Sequence, residues 1–239
     1  MWDMVDKAHV SEEAEEETGM MKAEPLKEAK AVDKEINIEF VDVSEFKKSK
    51  RTNLMKLIML GDSAVGKSSI KARIENKEIP EEHVATYGVD FGDICAKYDD
   101  TVFKLQIWDS AGESDYGSVA KIFFRGAHAA FLCYSIDSRK SFESAKLALE
   151  DVKARCDTDI VVVLVGTKQD LESEREVTYE EALEFANANR FIRHFSEMSA
   201  KSFDSVKTLF EDTFKIAIKQ YHEEDDGSQL SGSMMDRSF

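Results

Sequence analysis

MKLIMLGDSAVGKSSIKARI, residues 55–74, is the stretch that decides the fold. Met55 to Leu60 form a largely apolar, strand-like run, and from Gly66 the pattern becomes that of an amphipathic helix. Between them GDSAVGKSS, Gly61 to Ser69, carries G-x-x-x-x-G-K-[ST], the pattern of a phosphate-binding loop in the strand–loop–helix context such a loop requires. The glycines let backbone N–H groups converge on phosphate oxygens, and the helix N-terminus adds a favourable dipole. Lys67 is expected to reach β- and γ-phosphates and the Ser68 hydroxyl to ligate Mg²⁺. Asp62, Ser63, Ala64, Val65, Gly66 and Ser69 complete the expected cradle.

Downstream of Asn53 the same alternation of apolar runs and amphipathic stretches continues, which builds a mainly parallel sheet covered by helices on both faces. Strands are expected at Met55 to Leu60, Gly88 to Lys97, Val102 to Trp108, Ala129 to Ile136, Ile160 to Gly166 and His194 to Met198. Helices are expected at Gly66 to Glu75, Ser118 to Phe124, Ser141 to Arg155, Tyr179 to Asn189 and Phe203 to Tyr221. Asp99 and Asp100 mark a turn, so the second and third strands form an antiparallel hairpin at the sheet edge. The fold class is therefore α/β, with a six-stranded mixed sheet and five helices.

Upstream, residues 1–52 read as an acidic extension, with Glu12, Glu13, Glu15, Glu16 and Glu17 clustered and too little apolar surface to fold alone. Within it Ile36, Ile38 and Phe40 alternate with polar residues, which fits either a strand docking on a sheet edge or partner, or a solvated linker. The domain is expected over residues 53–221, and the acidic, Ser-rich residues 222–239 read as a disordered tail.

A formal net charge of -16 at pH 7 repels nucleic acid and anionic membrane surfaces, so neither is expected as the main partner. Cys95, Cys133 and Cys156 are an odd set without metal-ligand spacing, which points to a reducing compartment and to no zinc site or disulfide framework. No apolar run reaches the ~18 residues of a membrane span, and the acidic N-terminus lacks a signal-peptide layout. A cytoplasmic protein is expected.

A phosphate loop serves GTPases, ATPases and nucleoside kinases alike, so later motifs must select the base. Trp108-Asp109-Ser110-Ala111-Gly112 closes the third expected strand, where Asp109 is placed to hold Mg²⁺ and Gly112 to offer an N–H to a γ-phosphate. Thr167-Lys168-Gln169-Asp170 follows the fifth strand, and its carboxylate can accept two parallel hydrogen bonds from guanine N1 and N2, a donor pair adenine lacks. Ser199-Ala200-Lys201 follows the last strand and can present backbone N–H to guanine O6. Each short pattern is weak alone; their order behind a phosphate loop is what carries weight.

GDSAVGKSS, TYGVDF (Thr86 to Phe91), WDSAG, GTKQDL (Gly166 to Leu171) and MSAK together resemble the five boxes of Ras-like small GTPases, over about residues 53 to 221. YGVDF and FFRGAH (Phe123 to His128) are similar to hallmarks of the Rab branch, as is the spacing from Lys67 to Thr86. The resemblance implies the P-loop NTPase fold, GTP/GDP and Mg²⁺ as cofactors, and GTPase activity. It implies that Thr86 contacts Mg²⁺ and γ-phosphate only in the GTP state. It also implies effector, exchange-factor and activating-protein partners engaging the switch regions of a monomer, with a role in vesicle traffic. Lys67, Thr86, Gly112 and Glu113 are the expected catalytic set.

The chain departs from the family pattern at several points. Glu113 stands where the family has the water-orienting Gln, so slow intrinsic turnover and a long-lived GTP state are expected; Rab-directed activating proteins that bring Arg and Gln in trans leave regulation feasible. Ile79 falls where many Rab proteins stack an aromatic on guanine, and Thr167 replaces the commoner Asn. Met234 to Phe239 contain no cysteine, so no prenyl anchor is expected and any recruitment to endomembranes would run through a partner. The competing expectation is a GTP-bound scaffold that does not cycle; a phosphate-loop ATPase or kinase is disfavoured by Asp170 and Ser199 to Lys201. Tyr116, Trp108, Phe123 and Phe124 read as packing residues or as part of an effector patch. His83, His128 and His194 read as structural or solvated.

Overall fold

In the computed structural model, residues 37–79, 86, 88–111, 120–156 and 159–227 are described. Seven strands form one sheet: β1 (Glu39–Val41), β2 (Arg51–Leu60), β3 (Val89–Tyr98), β4 (Thr101–Ser110), β5 (Ala129–Ser135), β6 (Val161–Thr167) and β7 (Ile192–Glu197). Their spatial order is β1-β3-β4-β2-β5-β6-β7. β1 and β4 each pair antiparallel with β3, and every other pairing is parallel. The helices are α1 (Ser44–Lys48), α2 (Lys67–Ile74), α3 (Ala120–Phe124), α4 (Arg139–Arg155), α5 (Tyr179–Ala188) and α6 (Phe203–Gly227), with a 3₁₀ segment at Gln169–Glu174.

Side-chain alternation along the strands divides the core in two. Leu57 and Met59 of β2 face one way, with Phe131 and Cys133 of β5, against Ile70 and Ile74 of α2 and Phe210, Phe214 and Ile218 of α6. Ile58 and Leu60 face the other way, with Ala130 and Leu132, against Phe123 of α3, Phe142 and Leu149 of α4 and Ala182 of α5. β5 and β6 are buried along their whole length, as strands covered on both faces must be, which is why their sequences are apolar runs up to the closing Ser135 and Thr167. Ser138 and Thr178 cap α4 and α5 by accepting the N–H of Ser141 and Glu181.

The sheet has seven strands against the six expected, because Glu39–Val41 pairs with Cys95–Lys97 on the outer edge of β3. Three residues carry no local strand signal strong enough to stand alone; the pairing and the burial of Ile38, 7% exposed, hold them. Phe40 meets Phe214 of α6 edge to face, with ring centroids 6.2 Å apart. β2 begins at Arg51, and α6 continues past Tyr221 to Gly227, since extending an already packed helix costs far less than starting one. Ile38→Ala is expected to lower unfolding free energy by about 2–4 kcal/mol, measured by urea denaturation; a loss under about 0.5 kcal/mol would mean that the strand does not belong to the cooperative core.

Candidate functional site

Parallel pairing of β2 with β4 sets Met59 opposite Asp109, so the loop leaving β2 starts beside the carboxyl end of β4. Gly61 has φ +139°, and a Cβ there would lie 2.2 Å from the Cys133 carbonyl oxygen, so the chain can turn tightly over β5 only without a side chain. Gly66, at φ +101°, starts α2, whose first-turn amides have no intrahelical acceptor and are open to an anion. The Lys67 ammonium folds back over the loop and donates to the carbonyls of Gly61 and Asp62, both at 2.8 Å. Burial holds its pKa below the ordinary lysine value, against the pull of Cys133, Asp109 and Asp62. Ser144 of α4 donates to Asp62 Oδ2 at 3.0 Å and anchors the loop from the other side.

Ser68, one residue into α2, meets two side chains from distant segments. Its hydroxyl donates to Asp109 Oδ2 at 2.5 Å and lies 2.8 Å from Thr86 Oγ1. With an ionised Asp109 accepting from Ser68, the Thr86 hydroxyl is the donor to Ser68. Asp109 is 0% exposed, and its Oδ1 has no hydrogen-bond partner among the described residues. Burial raises its pKa, against the Ser68 hydrogen bond and the charges of Lys67 and Lys71. A buried carboxylate oxygen without a donor is costly unless something cationic meets it, so the three oxygens of Ser68, Thr86 and Asp109 fit a small hard cation.

On the same rim, Asp170 receives Ser199 Oγ on Oδ1 and Lys201 Nζ on Oδ2, both at 2.5 Å. Burial pushes its carboxyl up, and the hydrogen bonds from Lys201 and Ser199 outweigh this and hold it below the usual range. Lys168 adopts the left-handed conformation, with Nζ 3.7 Å from Asp137. The Thr167 hydroxyl lies 2.5 Å from the Val65 carbonyl and 2.9 Å from that of Tyr134, so its proton ties the loop after β6 to the loop after β2. The Ser199 and Lys201 amides donate to Ser205 Oγ and Ser199 Oγ.

Asp62 to Ser69, Thr86, Asp109, Thr167, Lys168, Asp170 and Ser199 to Lys201 thus share the rim at the carboxyl ends of the parallel strands, where open α/β sheets bind ligands. Gly112 and Glu113 of the expected catalytic set lie outside the described residues, as do His83 and Tyr116.

The profile of the family described as Ras family matches residues 56–219. The chain is also 39% identical, over 168 residues, to Ras-related protein Rab-2B of Dictyostelium discoideum, a span covering 70% of this chain and 82% of that protein. The chain belongs to the Ras family. It is a Rab-like small GTPase, of a family whose members bind guanine nucleotides with Mg²⁺ and work as GTP-binding switches.

Several residues that organise the site of this Rab-like GTPase escaped sequence reasoning. Arg73 of α2 donates to the Ala200 carbonyl at 2.8 Å and ties the phosphate-loop helix to the loop after β7. Arg175 forms a two-bond pair with Glu197 at 2.8 and 2.7 Å, and Tyr134 donates to the same carboxylate at 3.3 Å, which braces the loops on either side of Asp170. Lys56 donates to the carbonyls of Ile122 and Arg125 at 2.8 and 3.0 Å while its ammonium sits 3.7 Å from the Trp108 ring centroid. Trp108 in turn meets Phe91 and Phe123 edge to face, at 4.6 and 6.3 Å. Phe123 and Phe124 are core residues, whereas Phe91 and Ile122 are 57% and 61% exposed. His128 accepts the Lys56 N–H through Nδ1, and His194 is buried with its pKa lowered by desolvation, so both are structural.

Asp109→Asn is expected to raise nucleotide-free stability by about 1 kcal/mol. Folding raises this carboxyl above its ordinary 3.8, so the folded state binds more protons and nucleotide-free stability declines as pH climbs through that window. The Asn variant should lack that decline in urea titrations of nucleotide-free protein across acidic to neutral pH; a variant less stable at pH 7 would overturn the argument.

Proposed function

We propose that this chain is a Rab-like switch that binds Mg²⁺ with GTP or GDP, signals to effectors in vesicle traffic, and hydrolyses GTP slowly. The observation that carries the reading is the meeting of Ser68 with Thr86 and Asp109, at 2.8 and 2.5 Å, beside the Lys67 ammonium. Among the described residues no group of three or more His, Cys, Asp or Glu is placed to hold a metal by itself. A cation here would be held by the oxygens of Ser68, Thr86 and Asp109, with room for phosphate oxygens and water, the ligands magnesium prefers. Bound Mg²⁺ would supply neutralisation of the charge that builds on the transferring phosphoryl group.

The chain's own residues divide the remaining work. Lys67 leaves its two loop carbonyls to meet the β- and γ-phosphates, while the amides of Asp62 to Ser69 cradle them. Asp170 exchanges Ser199 and Lys201 for guanine N1 and N2, and the amide of Ala200 meets O6. Thr86 and Gly112 report the γ-phosphate, so its loss frees the loop carrying Thr86 and changes the shape of residues about 79–91 and 110–120. Exposed Phe91, edge to face with Trp108, and exposed Ile122 offer effectors apolar surface. Among the described residues no helix is long and apolar enough to cross a membrane.

Glu113 accepts a proton from water but cannot donate to the phosphoryl group, and its charge opposes the γ-phosphate. In single-turnover hydrolysis Glu113→Gln should therefore be faster than the wild type, by about tenfold or more; equal or faster wild-type turnover refutes slow hydrolysis. Glu113 also favours a second reading, a GTP-bound scaffold that does not cycle. Chromatography of nucleotide released from purified protein separates the two: GDP marks a cycling GTPase, and GTP retained for hours marks the scaffold. Asp170→Ala should weaken GDP binding by about 100-fold, measured by displacement of labelled GDP; unchanged affinity would remove Asp170 from base recognition.

A further inference from the structure

Lys71 lies one turn beyond Lys67, on the face of α2 turned to the sheet, and its side chain is only 6% exposed. A lysine in such a place needs a carboxylate partner, and two reach its ammonium. Glu75, one turn further along α2 and itself 8% exposed, lies at 3.2 Å. Asp90, at the start of β3, lies at 2.8 Å and is 61% exposed. Glu75 also receives Lys77 on the same oxygen, at 3.0 Å, and the bond to Asp90 adds a link between two elements. That link is held in place: Asp90 Oδ1 also accepts the Phe91 N–H at 2.9 Å. β3 is pressed onto the pair as well, since a Cβ on Gly92 would lie 2.2 Å from Glu75 Oε1 and 2.7 Å from Lys71 Cε.

The two elements are the ones that the proposed switch must bring together. α2 carries Ser68, and Thr86 lies just upstream of β3, with Thr86 Oγ1 2.8 Å from Ser68 Oγ. The segments are thus joined twice, once by hydroxyls at the proposed metal site and once by an ion pair outside it. The first contact depends on what occupies the site; the second does not.

We propose that Lys71 is a positioning residue for the switch: its ion pair with Asp90 clamps the strand that follows the switch loop to α2 and biases Thr86 toward Ser68 and Asp109. The inference rests on the switch reading above. A clamp of this kind favours the arrangement in which Thr86 reaches a γ-phosphate, so it slows release of a triphosphate more than of a diphosphate, the differential that shifts a two-state equilibrium. Because Asp90 is exposed, the clamp weakens as salt rises.

The test is release of fluorescent GDP and of a fluorescent non-hydrolysable GTP analogue, with Mg²⁺ present, from full-length wild type, Asp90→Asn and Lys71→Met. Asp90→Asn leaves the buried Lys71–Glu75 pair intact and should melt within about 2 °C of wild type. Both variants should release the analogue about threefold to tenfold faster, with GDP release changed less than about twofold, and high salt should narrow the gap between wild type and Asp90→Asn. Equal acceleration for the two nucleotides, or none, overturns the clamp while leaving the switch reading in place. Failure of the wild type to take up either nucleotide overturns both.

Discussion

The Asp109 carboxylate is the constraint on which the rest of the site depends. It is 0% exposed, one oxygen takes the Ser68 hydroxyl, and the other has no donor among the described residues. In such a low-dielectric place an unsatisfied negative charge acts strongly on its neighbours. Parallel pairing with β2 brings the phosphate loop, with Lys67 and Ser68, to its side, and the Cys133 carbonyl forces the loop to turn at a glycine. Completing the surroundings of this carboxylate with a cation and phosphate oxygens is what the geometry favours most.

Around that point the molecule separates rigid from yielding parts. Thr167 on Val65, Arg73 on Ala200 and Arg175 on Glu197 lock the loops after β2, β6 and β7 into one frame. Beneath them β5 and β6 are buried along their whole length. Thr86 is held instead by a hydroxyl contact, whereas Asp90 and Phe91 add an ion pair with one exposed partner and a ring edge on Trp108 to the ladder of β3 with β4. Local opening is drawn from such thinly packed regions. The arrangement thus sets a cross-linked frame of loops beside a Thr86 that is tied through its hydroxyl.

The aromatic cluster shows how position in the fold assigns roles that composition does not. Phe123 and Phe124 are core, while Phe91, on β3 between Asp90 and Gly92, is left 57% exposed. Lys56 enters the same cluster from beneath, its ammonium on the face of Trp108 and its hydrogen bonds on the carbonyls that end α3. Burial pulls that ammonium down to about 8.

The order of elements, the α/β class and the motifs that the fold gathers on one rim were legible in the sequence, because each depends on local pattern. Apolar runs of period two, a helical repeat beginning at Gly66, and short motifs at strand ends are all written within a few residues. Family membership followed from the same motifs in order. Tertiary structure alone decided the rest: the seventh strand at Glu39–Val41, the burial of Ile38, the course of α6 to Gly227, and the ties made by Lys56, Lys71, Arg73 and Arg175. Each of these pairs residues far apart in the chain. A lone Lys or Glu in a helix or strand reads as a solvated charge until the packing shows which opposite charge, carbonyl or ring it is buried against.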